Sequence, residues 1–274
     1  MKPAESGEAR RRTLRSAQRI VWFSIMETSI NRVLRDFRKL LPKSRPTLWG
    51  GTPVLGSFPA YAELHVIGSR ANYFIHDGYK HGVEPQYYKD ATNSDEWQDE
   101  VYRFAKEIAD RHELRSVLDI GCGSGFKLMK YFRDRTTTGV DVPETCANLR
   151  QRYPDRRWTP CDFHASDIPK ADLVIASDVI EHLVDPDELL RYIVRIDPRY
   201  VVISTPDRNL LRYKVHNGPP SNRAHIREWS MAELHAYISH FLDIVDHFIS
   251  AAPQATQCVL ARPRATHDNC NLPS

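Results

Sequence analysis

The chain has 274 residues, 41% of them hydrophobic and 27% charged, with 38 Lys/Arg against 35 Asp/Glu. This is enough for one sizeable α/β core with extensions, and no apolar run approaches the ~18–20 residues of a membrane-spanning helix. The net charge of +3 hides an asymmetry: residues 1–45 hold twelve Lys/Arg and four Asp/Glu, whereas the remainder holds 26 and 31. That balance speaks against a strongly basic catalytic surface.

At the N-terminus arginines interrupt any apolar core before a signal peptide can form. Five cysteines (122, 146, 161, 258, 270) give an odd number with no C-x-x-C pair, which reads as free thiols in a reducing cytoplasm. Residues 1–60 read as a basic arm with an amphipathic helix and a linker. Within it Ile20, Phe23, Met26, Ile30, Val33, Leu34, Phe37 and Leu41 recur at helical spacing among arginines over residues 16–41. Such a helix suits peripheral contact with an anionic membrane surface, binding to RNA, or packing on the domain or on a second subunit of a homodimer. Residues 42–60 are rich in Pro and Gly and form the linker.

Residues 61–94 are dense in aromatics and histidines (Tyr61, His65, Tyr73, Phe74, His76, Tyr79, His81, Tyr87, Tyr88). They read either as a substrate cap or as a small aromatic core of their own. Ser94-Asp95-Glu96-Trp97 predicts a capped helix start running on through Ile108. The main domain is expected over residues 95–265, with 266–274 as a tail. Strands are expected near 116–120, 137–142, 157–162, 171–177 and 200–204, alternating with helices, which implies a parallel sheet covered on both faces. A helix over Trp229–His240 precedes two apolar segments, Phe241–Ile249 and Thr256–Ala261, short-linked as an antiparallel pair at the sheet edge.

Val117, Leu118 and Ile120 form an apolar strand carrying Asp119, followed by Gly121, Gly123 and Gly125 and then a helix start at Phe126. Glycines at a strand-to-helix crossing let the backbone approach a ligand at the carboxyl edge of the sheet. The dinucleotide pattern G-x-G-x-x-G is broken, because Phe126 stands where the last glycine belongs. Twenty-two residues beyond Asp119, the second strand ends at Asp141, where a carboxylate can accept both hydrogen bonds of a ribose diol.

The arrangement D-x-G-x-G-x-G, with Asp141 in register, resembles class I S-adenosylmethionine (SAM)-dependent methyltransferases. The resemblance covers roughly residues 95–262. It implies a Rossmann-like, seven-stranded, mostly parallel sheet with an antiparallel edge strand and an N-terminal helical extension. It also implies SAM as cofactor, held by Asp119, Gly121, Cys122, Gly123, Asp141, Val142, Asp162, Phe163 and Ser177. In such a site Asp162 would receive the adenine amino group; by itself it reads equally well as a turn acid.

The fourth strand runs into Asp178-Val179-Ile180-Glu181-His182, similar to the D-x-x-E-H segment of ubiquinone-biosynthesis-type O-methyltransferases. A helical turn there would set Asp178, Glu181 and His182 on one face. Further on, Ser204-Thr205-Pro206-Asp207 and His225-Ile226-Arg227-Glu228-Trp229 complete a pattern resembling, more distantly, the small-RNA 2′-O-methyltransferases. In that family two acids and two histidines bind a metal, which here implies Asp178, Glu181, His182 and His225, with Asp178 where the family has glutamate. Without a metal, Asp178, His182 and His225 are the catalytic candidates, one acting as base. The reading is a methyltransferase that O-methylates a small-molecule or sugar hydroxyl. The alternatives are an RNA 2′-O-methyltransferase and a non-catalytic SAM-binding subunit.

Overall fold

A computed structural model describes residues 70–82, 93–212 and 216–264. The expectations for residues 1–60, the outer parts of the aromatic segment and the tail lie outside the described residues. No helix among the described residues is long and apolar enough to cross a membrane.

Seven strands form one sheet: β1 (Ser116–Ile120), β2 (Thr136–Asp141), β3 (Arg157–Pro160), β4 (Leu173–Ser177), β5 (Tyr200–Pro206), β6 (Leu242–Ala251) and β7 (Thr256–Pro263). Their order is β3-β2-β1-β4-β5-β7-β6. The first five pair in parallel, while β7 lies between β5 and the edge strand β6 and runs antiparallel to both. This is the Rossmann-like, seven-stranded sheet that the resemblance implies, with strand order reversing between β1 and β4, where open α/β sheets bind ligands.

Alternation along each strand explains the two layers of core. Leu118, Ile120, Val174, Ala176, Val201, Ile203, Val259 and Ala261 point to one face. There they meet Leu189, Leu190 and Ile193 of α4 (Pro186–Ile196) and Leu234, Tyr237 and Ile238 of α6 (Met231–Ser239). Val117, Leu173, Ile175, Val202, Cys258 and Leu260 point to the other. That face is covered by α1 (Asp99–Arg111), α2 (Phe126–Phe132) and α3 (Pro143–Arg152). A sheet buried on both faces needs apolar residues at successive positions, which is why the strands read as short continuous runs.

Helix boundaries follow local chemistry. Helix α6 opens with a capping box in which Ser230 and Glu233 satisfy each other's backbone N–H groups. Asp185 caps α4, its side chain accepting from the Asp187 N–H. The start expected at Ser94–Trp97 is corrected: α1 begins at Asp99, and its N-terminal neighbour Gln98 takes a left-handed conformation with φ 65°. Gln98 spends its side chain elsewhere, donating from Nε2 to the Ser177 carbonyl at 3.3 Å and to Asp178 Oδ2 at 3.2 Å. The remaining short helix, α5 (Arg208–Arg212), follows β5.

The described part of the aromatic segment is bound to the domain. Tyr73 stacks edge-on against Tyr237, its carbonyl accepts from Trp229 Nε1 at 2.9 Å, and Ile75 and Tyr79 belong to the main core.

Candidate active site

The glycine turn after β1 is shaped by two demands. Gly121, Gly123 and Gly125 all have positive φ, and a Cβ on Gly121 would lie 2.4 Å from Val179 Cγ2. No side chain fits there, so the turn keeps its backbone bare at the crossing. Asp141 ends β2 against it: Oδ2 accepts the Gly123 N–H at 2.8 Å and Oδ1 accepts the Val142 N–H at 2.7 Å. A carboxylate oxygen accepts more than one bond, so these tethers orient Asp141 and remain compatible with a ribose diol. Asp119 lies beneath the turn, fully buried, with Oδ2 accepting from the Tyr102 hydroxyl at 2.9 Å and Oδ1 without a partner. Burial pushes its carboxyl up to about 7; Tyr102 opposes the rise and Asp141 adds to it.

The other cofactor candidates spread along the same carboxyl edge. Cys122 is buried, and burial drives its thiol pKa well upward, so it packs as a neutral small side chain. Asp162 is exposed and its Oδ1 accepts the His164 N–H at 2.8 Å, which organises its own turn. Phe163 is half-buried against Tyr192. Ser177 is buried with its hydroxyl 2.9 Å from that of Ser204.

Beyond β4 the expected helical face does not form. Asp178 has φ 54°, and only Ile180–His182 make a single 3-10 turn. The Asp178 N–H bonds the Ser204 carbonyl, and its carboxylate accepts from Ser204 Oγ at 2.8 Å and from Gln98 Nε2. These bonds commit Asp178 to β5 and α1. Among the described residues, ligand atoms of Glu181, His182 and His225 lie within 4.8 Å of one another, a group that does not include Asp178.

Those three come together because the segment at 224–227 lies along the 3-10 turn. The Ile226 N–H bonds the Glu181 carbonyl at 2.8 Å, and the Arg227 guanidinium donates to the carbonyls of Leu183 and Val184 at 3.0 and 2.8 Å. Arg227 is buried and stacks over Tyr73, 4.3 Å from the ring centre. His182 Nδ1 donates to the Ala224 carbonyl at 2.9 Å, which leaves Nε2 with the lone pair. Burial lowers the His182 pKa, so the ring is held neutral. His225 Nδ1 lies 2.8 Å from Glu228 Oε1. Glu181 is fully buried; Oε2 accepts from Thr205 Oγ1 at 2.9 Å, and Oε1 has no partner. Burial, reinforced by Asp178 and opposed by His225, pushes its pKa up to about 8.

One carboxylate oxygen with no partner, beside two imidazoles whose Nδ1 atoms face a carbonyl and a carboxylate, fits a divalent cation chemically. Tyr102, Gln98, Thr205, Asn222 and Glu228 escaped the sequence reading. Only Thr205 and Glu228 carried a signal, each standing inside a quoted motif.

Residues 89–248 match the family model described as a methyltransferase domain. The match covers more than half of the chain, which therefore belongs to this family, within the class I SAM-dependent methyltransferases; SAM is the cofactor. A probable SAM-dependent methyltransferase of Mycobacterium tuberculosis is 30% identical over 147 residues, covering 51% of this chain and 53% of the relative. The small RNA 2′-O-methyltransferase of Mus musculus is 32% identical over 130 residues, covering 39% of this chain and 33% of the relative. The chain thus spans about half the length of the first relative and a third of the second. A SAM-dependent methyltransferase of Clostridium acetobutylicum shares the fold with TM-score 0.50 at 14% identity, over 62% of this chain and 94% of its own.

For the cofactor end, Asp141→Ala is expected to weaken SAM binding roughly 5- to 150-fold, the equivalent of about 1–3 kcal/mol for leaving polar groups unpaired. Calorimetric titration of the folded variant measures this; unchanged affinity would place the ribose elsewhere.

Proposed function

We propose that the chain is a SAM-dependent methyltransferase that acts on oxygen, taking a hydroxyl of a small molecule or sugar. The observation that supports this is the convergence of Glu181, His182 and His225 beyond the carboxyl ends of β4 and β5. A nitrogen nucleophile with a free lone pair has no need of such a group, whereas an alcohol must lose a proton as it attacks. SAM supplies a methyl group on a cationic sulfur. The substrate oxygen bonds the methyl carbon as the carbon–sulfur bond breaks, giving a methyl ether and S-adenosylhomocysteine.

The protein's own part is to place and deprotonate the hydroxyl. The glycine turn and Asp141 fix the cofactor, and the Glu181–His182–His225 group meets the hydroxyl. The neutral ring of His182 presents Nε2 as the proton acceptor. Were a divalent cation held by Glu181, His182 and His225, it would lower the pKa of the hydroxyl, and the same residues would be its ligands. Asp178 acts from outside the group, as a support for the turn that carries it.

A ribose 2′-hydroxyl of RNA is the second reading, favoured by the 32% identity to the mouse small-RNA enzyme. The excess of acid over base beyond residue 45 weighs against it. Methyl transfer from labelled SAM to a panel of phenols, sugars and RNA 3′ ends, with and without a chelator, tests both. Product methylated on oxygen is the expected result, and transfer confined to amines would sink the reading. Abolition by chelator with recovery on adding Mn²⁺ or Co²⁺ would select the metal form of the site.

A further inference from the structure

The proposed chemistry draws on His225, whose two ring nitrogens are each met by a neighbouring side chain. We infer that Glu228 is the positioning residue that fixes the tautomer and orientation of His225; the inference rests on the proposed role of the cluster. Glu228 is 1% exposed and His225 is 8% exposed, so water does not compete for the 2.8 Å contact between Oε1 and Nδ1. The carboxylate accepts, so Nδ1 carries the hydrogen and Nε2 the lone pair.

A second, independent contact gives the same assignment. Asn222 Oδ1 accepts the Ala224 N–H at 3.0 Å, which turns its amide NH₂ toward His225 Nε2, also at 3.0 Å. An NH₂ group can only donate, so Nε2 must accept. Asn222 thus occupies the Nε2 lone pair in this structure, and a substrate hydroxyl or a cation that uses this nitrogen has to displace the amide.

The main chain of Glu228 is held from both sides. Its N–H donates to the Tyr79 hydroxyl at 3.0 Å, and its carbonyl accepts from Arg208 Nη1 at 2.9 Å. Arg208 is itself buried in an ion pair with Glu233 at 2.7 Å and lies over the Tyr79 ring. With the main chain held, the carboxylate meets one ring nitrogen through Oε1 while Oε2 has no partner among the described residues, so its contact with His225 is not shared with another group. The same segment serves both histidines, since the Ala224 carbonyl orients His182 one residue before His225.

The test compares Glu228→Leu, which removes the acceptor, with Glu228→Gln, whose amide oxygen can still accept from Nδ1. Long-range ¹H–¹⁵N correlation of the full-length protein reports the His225 tautomer directly. In the wild-type chain the Nδ1–H form is expected. In Glu228→Leu it should give way to a mixture, with methyl transfer at saturating SAM falling by about 10–100-fold and SAM affinity unchanged. Glu228→Gln should recover both tautomer and rate in part. With Co²⁺ as probe, the Leu variant should bind about 10–100-fold more weakly if the cluster holds a cation.

A folded Leu variant that keeps the wild-type tautomer overturns the inference. If that variant does not fold, the Gln variant decides: loss of rate without any change in tautomer also overturns it. A shifted tautomer with undiminished methyl transfer upholds the positioning of His225 and removes His225 from the reaction, which would sink the functional reading instead.

Discussion

Replacing Glu181 by Gln is expected to lower methyl transfer by about 10²–10⁴-fold, the range for disabling an acid–base site by removing one of its ionisable groups, while SAM binding stays unchanged. Glu181 is fully buried, and among the described residues no Lys or Arg pairs with it. Burial of an uncompensated carboxyl is costly, which is what raises its pKa to about 8. A fold gains nothing from this group as packing, because Gln has the same volume and can keep the bond to Thr205. A structural role therefore predicts a folded and active Gln variant. A role in the reaction predicts a folded and nearly inactive one. His182→Ala should lose rate to a similar degree, and the double variant little more, because groups that act as a unit are not additive. Single-turnover rates with preloaded SAM separate these cases, and a wild-type rate in Glu181→Gln would remove the cluster from catalysis.

The sheet was legible because its strands are buried on both faces. Runs such as Val117-Leu118 and Leu173–Ala176, bounded by turn residues, suit strands buried on both faces, and the glycines after Ile120 are set by backbone shape. The antiparallel pairing of β6 and β7 was legible from their short link. What sequence spacing could not give was the path of the chain just past β4. A D-x-x-E-H spacing suggests one helical face, but Asp178 is drawn to Ser204 and Gln98, partners 26 and 80 residues away along the chain. The same limit applies to Tyr102 beneath Asp119 and to Thr205 beside Glu181, whose roles arise from strand order and not from neighbours in sequence. His182 and His225 were paired in advance only through resemblance. Their juxtaposition, ring centres 4.9 Å apart, depends on the segment 224–227 lying along the turn at 180–182.

Asp119→Asn is expected to stabilise the cofactor-free protein at pH 8 and to weaken its hold on SAM. The sign follows from burial. An unfolded Asp titrates near 3.8, whereas in the folded chain the carboxyl is pushed up to about 7. The folded state thus binds the proton more tightly, and stability is lost as pH rises from about 4 to about 7. Above pH 7 the full penalty is present, at most about 4 kcal/mol for a shift of roughly three units. Asn carries no charge and retains an acceptor for the Tyr102 hydroxyl, so the melting temperature at pH 8 should rise, with little change at pH 4. On the proposed placement of SAM, with its ammonium group over the glycine turn, positive charge would come within reach of Asp119 and lower its pKa again. Bound protein then holds fewer protons than free protein below pH 7. SAM affinity should climb from pH 5.5 to about 7 and level off, with a proton released on binding at the acid end. Calorimetry in buffers of different ionisation enthalpy counts that proton. Its absence in the wild-type chain, or its persistence in Asp119→Asn, would mean that the charge of SAM is answered by another group and that Asp119 serves the turn alone.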